Sequence, residues 1–503
     1  MDDMLLGIDL GTSSAKAVFF GTDGSVVGED GEVYGIDSPR PGWAEQDPEI
    51  WWNAVAKAVR KAKKAIPGPF HLSGMGISGQ MHGLVCLDRS KKVLRPAVIW
   101  ADQRSGDEAS QINSFLDDQC LFKNTLNKAS SGFMLSSLLW LRQNEPEIAR
   151  RIAHVLLPKD YIRFRLTEEL STDPSDACGS AAFDVVNGQW MDGLLRHFAI
   201  NPSIMPYVTY SSLYAGELCR EAAETLDLKP GIPVASGAGD QAAQAIGNGL
   251  IRSGQASSNI GTAGQFFVAS EKPLYDPELR CNCFNHAEFG MWYLLGANLS
   301  AGFCLNWLWT KILGRQNYDE AAAWAAEVPA GSRGLLFHPY LNGDRTPHQD
   351  PLASASFIGL SGTHGISEMV RAVMEGVVFS LRDGLDIARS LGLSPSLVVA
   401  SGGGARSALW RQIQADVYNL PVGTMKATEQ ACAGAAILGG VAAGVFDSIG
   451  GGCARMIGSV EEVTEPIPAN AALYEEIYQS AYRDFYTQNR ELYAKLFKWR
   501  NRH

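Results

Sequence analysis

The sequence predicts a mixed α/β protein made of two related domains with a ligand cleft between them. Three observations carry that expectation. The first is a tight turn that occurs twice, 250 residues apart. Asp9-Leu10-Gly11-Thr12-Ser13-Ser14 follows the apolar run Met4-Leu5-Leu6-Gly7-Ile8, and Asn259-Ile260-Gly261-Thr262-Ala263-Gly264 leads into Phe266-Phe267-Val268. Each reads as two strands joined at Gly-Thr, where glycine permits close backbone approach and a small hydroxyl beside N–H groups suits a phosphate oxygen. The second observation is the order of elements, with strands first and helices between them. The third is length: 503 residues exceed what one ordinary core accommodates.

Residues 4–36 read as a three-strand meander, with Thr22-Asp23-Gly24-Ser25 as a turn. Residues 48–66 carry helical periodicity, placing Trp51, Trp52, Val55, Ala58 and Val59 on one face. Strand-like runs follow at 73–78, 83–88 and 95–100, and a helical pattern spans 137–169, Val155 and Leu156 included. A strand at Ile232–Ala235 enters Ser236-Gly237-Ala238-Gly239-Asp240 and a helix at 241–248. Composition turns small and polar at Gly249–Gly254, so the boundary falls there: domain one is 1–250 and domain two 251–503. A long helix is expected from Ser367 to Ser390, then a strand at Ser396–Ala400 entering Ser401-Gly402-Gly403-Gly404-Ala405-Arg406. The apolar stretch Ala431 to Phe446 reads as a buried helix. From 470 onward a helix should point Leu473, Ile477, Ala481, Phe485, Leu492 and Leu496 at the core, with Lys498, Arg500, Arg502 and His503 at its solvated end.

Composition excludes several classes. Hydrophobic content of 46% and 19% charged residues are ordinary for a globular protein, and the net charge of −11 without a basic run argues against nucleic acid. Nine scattered cysteines read as reduced thiols, and Met1-Asp2-Asp3 has the wrong charge for a signal peptide. The expectation is a soluble cytoplasmic protein with no membrane partner; a homodimer is compatible with the sequence. Gly74-Met75-Gly76-Ile77-Ser78-Gly79 matches a dinucleotide pattern, but a strand rather than a helix follows it, and no Gly-Lys dipeptide exists to form a P-loop.

Asp240 stands at the C-terminal end of a strand, the ligand edge of an open α/β sheet. It reads as a general base for a hydroxyl or as an N-cap aspartate. Asp9 reads as a carboxylate holding Mg2+ through water or as a turn aspartate, and Lys16 as a phosphate contact or a surface lysine. Gly402-Gly403-Gly404 admits a flat ligand or is a flexible turn. Gln80-Met81-His82 offers polar, soft and titratable groups for a polyol; Met81 as core and His82 as a structural histidine is the alternative.

Together these pieces resemble the FGGY carbohydrate kinases, over residues 4 to 445. The Gly7-Ile8-Asp9-Leu10-Gly11-Thr12 opening is shared with the wider actin-like ATPase superfamily. More specific are Pro41-Gly42-Trp43-Ala44-Glu45-Gln46-Asp47-Pro48, Ile77 to Gly83 with Ile99-Trp100-Ala101-Asp102-Gln103-Arg104, Leu156-Leu157-Pro158-Lys159-Asp160-Tyr161, and Pro339 to Pro347. Phe357-Ile358-Gly359-Leu360 through Glu375 is similar to the family's second signature. The resemblance implies two actin-like ATPase (ribonuclease H-like) domains and ATP-dependent phosphorylation of a pentulose, D-xylulose first, with another ketose or glycerol as alternatives. It implies Asp240 as general base, Gln80, Met81, His82, Trp100 and Gln241 at the sugar, and Asp9 at Mg2+. It places Gly11, Thr12, Ser13, Gly261 and Thr262 at the phosphates of ATP, and Gly403, Gly404 and Ser407 at adenosine. Ser137 stands where lysine is frequent, and Gln241 where xylulose-specific members frequently carry asparagine. A rival of another class, an actin- or chaperone-like ATPase without a sugar, has no need of the Met81-His82 cluster.

Overall fold

The computed structural model describes residues 3–425 and 429–500; Met1, Asp2, Arg502 and His503, named above, lie outside them. Two seven-stranded sheets organise the chain. In the first, Asp3–Leu10, Ser14–Gly21 and Val26–Val33 form the expected antiparallel meander, and His71–Gly79 joins Asp3–Leu10 in parallel. The second repeats the plan: Ala256–Ile260, Gly264–Ser270 and Trp292–Asn298 run antiparallel, and Val398–Gly402 joins Ala256–Ile260 in parallel. The register coincides as well. Asp9 pairs with Ser78 and Leu10 with Gly79, while Asn259 pairs with Ser401 and Ile260 with Gly402.

The helix Pro48–Lys64 covers the first sheet with Trp51, Trp52, Val55 and Val59 buried. It starts on an Asp47 side chain that accepts from the Glu49 N–H, followed by proline, a capped entry that leaves fewer orphan donors. The long helix Ile366–Ser390 packs on the second sheet with most of its length buried.

The helix Gln430–Ala442, although late in the chain, lies on the first sheet. It approaches so closely that a Cβ on Gly7 would sit 1.9 Å from the Cys432 carbonyl oxygen and one on Gly76 would sit 1.9 Å from that of Ala435. The helix Asp240–Gly247 crosses it equally tightly: a Cβ on Gly434 would sit 1.9 Å from the Ala243 carbonyl oxygen. Two of the three glycines of the apparent dinucleotide motif, 74 and 76, therefore serve helix packing rather than a phosphate.

Two expectations need correction. Val155 and Leu156 belong to the strand His154–Leu156, which pairs with Val85–Leu87 between helices Met134–Asn144 and Pro158–Thr167. In the tail, the helical segments Pro468–Ile477, Tyr478–Tyr482 and Arg483–Arg500 bury a tyrosine face, residues 474, 478, 482, 486 and 493, and leave Leu473, Ala481, Leu492 and Leu496 exposed. The tyrosines win because their hydroxyls meet carboxylate acceptors: Tyr474 donates to Glu375, Tyr478 to Asp383 and Tyr486 to Asp350.

Candidate active site

The first Gly-Thr turn closes when the Gly11 N–H donates to the Ser14 carbonyl at 2.9 Å, and the Tyr34 hydroxyl donates to the Gly11 carbonyl. Side chains hold its tip. The Gln46 amide donates to the Thr12 carbonyl at 2.8 Å, and the Trp100 indole N–H donates to the Thr12 hydroxyl at 2.9 Å. Gln46 is itself fixed, its oxygen accepting from Trp51 at 2.9 Å and from Gln80 at 3.0 Å. Trp100, expected at the sugar, thus stands at the first Gly-Thr turn. Ser13 is exposed, and its carbonyl accepts from the Tyr34 N–H.

Behind the turn, Asp9 accepts from the Ser78 hydroxyl at 2.9 Å, and burial raises its carboxyl above the usual range. Lys16 reaches away from the turn to Glu429 at 2.8 Å, an ion pair between early and late chain. Asp240 is the first residue of the helix Asp240–Gly247; Gly239 is the cap, so the N-cap alternative does not hold. Its Oδ1 accepts from the Gln241 N–H at 2.7 Å. Burial first, and then the charge of Asp9, raise its pKa to about 7. A carboxylate there titrates where a general base is most effective.

Met81 is buried, with its sulfur 4.0 Å from the Tyr293 hydroxyl of the second sheet. His82 stacks on Phe133 at 4.1 Å and donates from Nδ1 to the Gly179 carbonyl at 2.7 Å. Burial lowers its pKa to about 3, so the ring is neutral and Nε2 is left as an acceptor. Arg345 places a desolvated guanidinium in the electrostatic field of His82, with no carboxylate within ion-pair distance among the described residues. Sequence reasoning passed over Arg345 inside a quoted motif, and over Ser78 and Gln46 likewise.

The second turn closes one residue tighter, Gly261 N–H to the Ala263 carbonyl at 3.1 Å, and backbone rather than side chains holds its tip. The N–H groups of Ala301 and Phe303 donate to the Thr262 carbonyl at 3.0 and 3.1 Å, and that of Gly302 to the Gly261 carbonyl at 2.8 Å. Beside it lies a cavity of about 790 Å³, walled by Gly261, Thr262, Gly403, Gly404, Ser407, Arg406, Trp410, Met374 and Tyr318. Sequence reasoning reached the first five of these and passed over Arg406 and Trp410, which adjoin Ser407 in the chain, and Met374 and Tyr318, which come from distant helices. Gly402 has φ 73°, and a Cβ there would sit 2.4 Å from Asn259 Oδ1, so this glycine run is built into the sheet edge and is not a loose turn. Ser407 also caps the helix Ala408–Tyr418, accepting from the Trp410 N–H.

The cavity's size and its open glycine backbone fit a nucleoside, with the Gly-Thr turn at one end for its phosphates. No three His, Cys, Asp or Glu side chains converge on a metal position among the described residues. The desolvated carboxylate of Asp9 fits a hard cation that keeps waters and phosphate oxygens as its other ligands.

Two sheets of one plan, each ending in a Gly-Thr turn, with a desolvated carboxylate at a strand end of the first, fit a two-lobed phosphotransferase. Comparison with known proteins gives the class its name. The N-terminal domain of the FGGY family of carbohydrate kinases matches residues 4–247 and its C-terminal domain residues 256–443, and the chain belongs to that family. It is 40% identical over 417 residues to the xylulose kinase of Escherichia coli strain K12, covering 82% of this chain and 84% of that one. It is 36% identical over 495 residues to the xylulose kinase of Staphylococcus epidermidis, covering 98% of both. The crystal structure of xylulose kinase from Rhodospirillum rubrum superposes with a TM-score of 0.90 at 30% identity, over 98% of this chain and all of that one. No helix among the described residues is long and apolar enough to cross a membrane.

Proposed function

We propose that this carbohydrate kinase transfers the γ-phosphoryl group of ATP to the terminal primary hydroxyl of D-xylulose. The observation that carries the chemistry is Asp240: a desolvated carboxylate at a strand end, whose preceding residue Gly239 lies against Met81, and titrating at about 7. The near full-length likeness to xylulose kinases supports the choice of sugar. In this reading Asp240 accepts the hydroxyl proton as the oxygen attacks phosphorus. His82 Nε2 accepts from a sugar hydroxyl, and Gln80, Met81 and Gln241 shape the remainder of the ketose pocket. Gly403, Gly404 and Ser407 take adenosine, and the two turns take the phosphates, with N–H donors from Thr12 and Thr262 because the glycine N–H groups close the turns. Asp9 holds Mg2+, which supplies charge neutralisation on the phosphates. Catalysis is then chiefly alignment and electrostatics, the terms that dominate phosphoryl transfer.

The test is ADP release over a panel of D-xylulose, other ketoses, sugar acids and glycerol, with the parent and Asp240→Ala. D-Xylulose should give the highest kcat/KM, and the substitution should lower it about 10²–10⁴-fold. Asp240 must be ionised to act, so kcat/KM should fall as pH drops through about 7. An Asp240→Ala rate within threefold of the parent would sink the assignment. So would ATP turnover indifferent to every sugar, the behaviour of a partner-driven ATPase.

A further inference from the structure

A wholly buried ionic cluster lies behind the cleft, outside the groups used so far. Lys159 is completely buried at the start of the helix Pro158–Thr167, with its ammonium 2.6 Å from Asp160, 2.8 Å from Asp173 and 3.6 Å from Asp176. A buried ammonium is costly, and one among several carboxylates is retained only when geometry and hydrogen bonds compensate for desolvation. Here they continue outward along a single path. Asp173 Oδ1 faces Lys159, while Oδ2 accepts from the Ser175 N–H at 3.0 Å, from the Ser175 hydroxyl and from the Ser211 hydroxyl at 2.7 Å. The Ser175 hydroxyl has only one proton, and Asp173 takes it, so its lone pairs face the other way. They accept from the N–H of Gly239 at 3.1 Å.

Gly239 is the residue before Asp240, and its place is tightly set. A Cβ there would sit 2.9 Å from Met81 Cγ and 3.1 Å from the Ser175 carbonyl oxygen. Ala238 and Gly239 pair with Ser78 and Gly79, the strand end that also carries the hydroxyl bound to Asp9. The peptide entering Asp240 is therefore gripped between a side chain on the sugar side and the Ser175 hydroxyl behind it.

We propose that Ser175 is a positioning residue for Asp240, its hydroxyl oriented by the Asp173–Lys159 ion pair so as to fix the Gly239 N–H and with it the direction of the carboxylate. This rests on Asp240 acting as the base. The positioning costs nothing at the moment of reaction, because the buried cluster is already ordered. Asp176 completes the cluster: neither of its oxygens has a hydrogen-bond partner, and burial, with Asp240 among the nearby negative charges, raises its carboxyl well above the ordinary range.

Ser175 and Ser211 donate to the same oxygen of Asp173, yet only Ser175 touches Gly239. That makes Ser211→Ala the control for Ser175→Ala. The expected result is a kcat at least tenfold lower in Ser175→Ala, with KM for ATP within twofold, and an acid limb of kcat/KM displaced by half a pH unit or more. Ser211→Ala should stay within threefold of the parent in kcat, at a comparable melting temperature. Equal loss in both variants, or Ser175→Ala within twofold of the parent, overturns the proposal. If Ser175→Ala does not fold, Ser175→Thr and Ser175→Val, alike in shape, replace it. The threonine variant should keep at least tenfold more kcat than the valine variant, and equal values overturn the proposal. Asp240→Ala separates the two readings: its retention of activity removes the base itself, whereas its inactivity beside an unaffected Ser175→Ala removes only the positioning role.

Discussion

Asp9 and Asn259 occupy the same place in the two sheets. Each faces a serine on the neighbouring parallel strand, Ser78 or Ser401, and each stands two residues before a Gly-Thr turn. One is a desolvated carboxylate held by the Ser78 hydroxyl; the other is a neutral amide whose Nδ2 donates to Gln265 at 3.3 Å. The turns differ in support as well. Three side chains, Gln46, Trp100 and Tyr34, hold the first, and three backbone N–H groups from 301–303 hold the second. Duplication has kept the geometry of a phosphate turn while charge and support diverged. In the proposed reading the first lobe holds the cation next to the acceptor hydroxyl, and the second meets the nucleotide with backbone N–H groups and Arg406.

Asp9→Asn makes the first turn resemble the second, and should have the largest effect. We expect kcat to fall about 10²–10³-fold, the scale for removing one preorganised charged contact to a transition state, and the Mg2+ concentration for half-maximal rate to rise. A rate within threefold of the parent, measured across a Mg2+ titration, would break the proposed division of labour. Gly302→Ala attacks the second turn through its backbone support, since the new Cβ would sit 2.5 Å from the Gly261 carbonyl oxygen. The shift this forces should raise KM for ATP about tenfold and leave KM for the sugar near that of the parent, at a packing cost of about 1–3 kcal/mol. The smallest effect belongs to Trp100→Phe, which removes a single N–H from Thr12. A hydrogen bond worth about 1 kcal/mol corresponds to roughly fivefold in kcat/KM. If the fivefold appears in KM for the sugar alone, Trp100 serves the sugar after all.

What could be read from the sequence was what lies close together in it. Strand, turn and strand are contiguous around Gly11 and Gly261, and Asp240 sits between a strand and a helix a few residues long. Gln46 could not be seen as the hub of the first turn because its partners, Thr12, Trp51 and Gln80, come from three separate elements. The tail shows a different failure. Its aliphatic stripe is the obvious core face by period, but the acceptors that make the tyrosine face better, Glu375, Asp383 and Asp350, lie about a hundred residues upstream. Ser175 is hidden for the same reason: nothing local joins it to Gly239, 64 residues away. The strand His154–Leu156 has only three residues, too few to display a period of two.

The helix Gln430–Ala442, seated against Gly7 and Gly76, makes the two halves of the gene product inseparable in practice. A fragment ending at residue 250 would carry strands whose glycine-lined face has lost the cover of that helix, leaving bare backbone and apolar surface open to self-association. Anyone dividing this enzyme for reconstitution or for a split reporter would need to return 430–442 to the first fragment, because primary structure assigns that helix to one lobe and packing assigns it to the other.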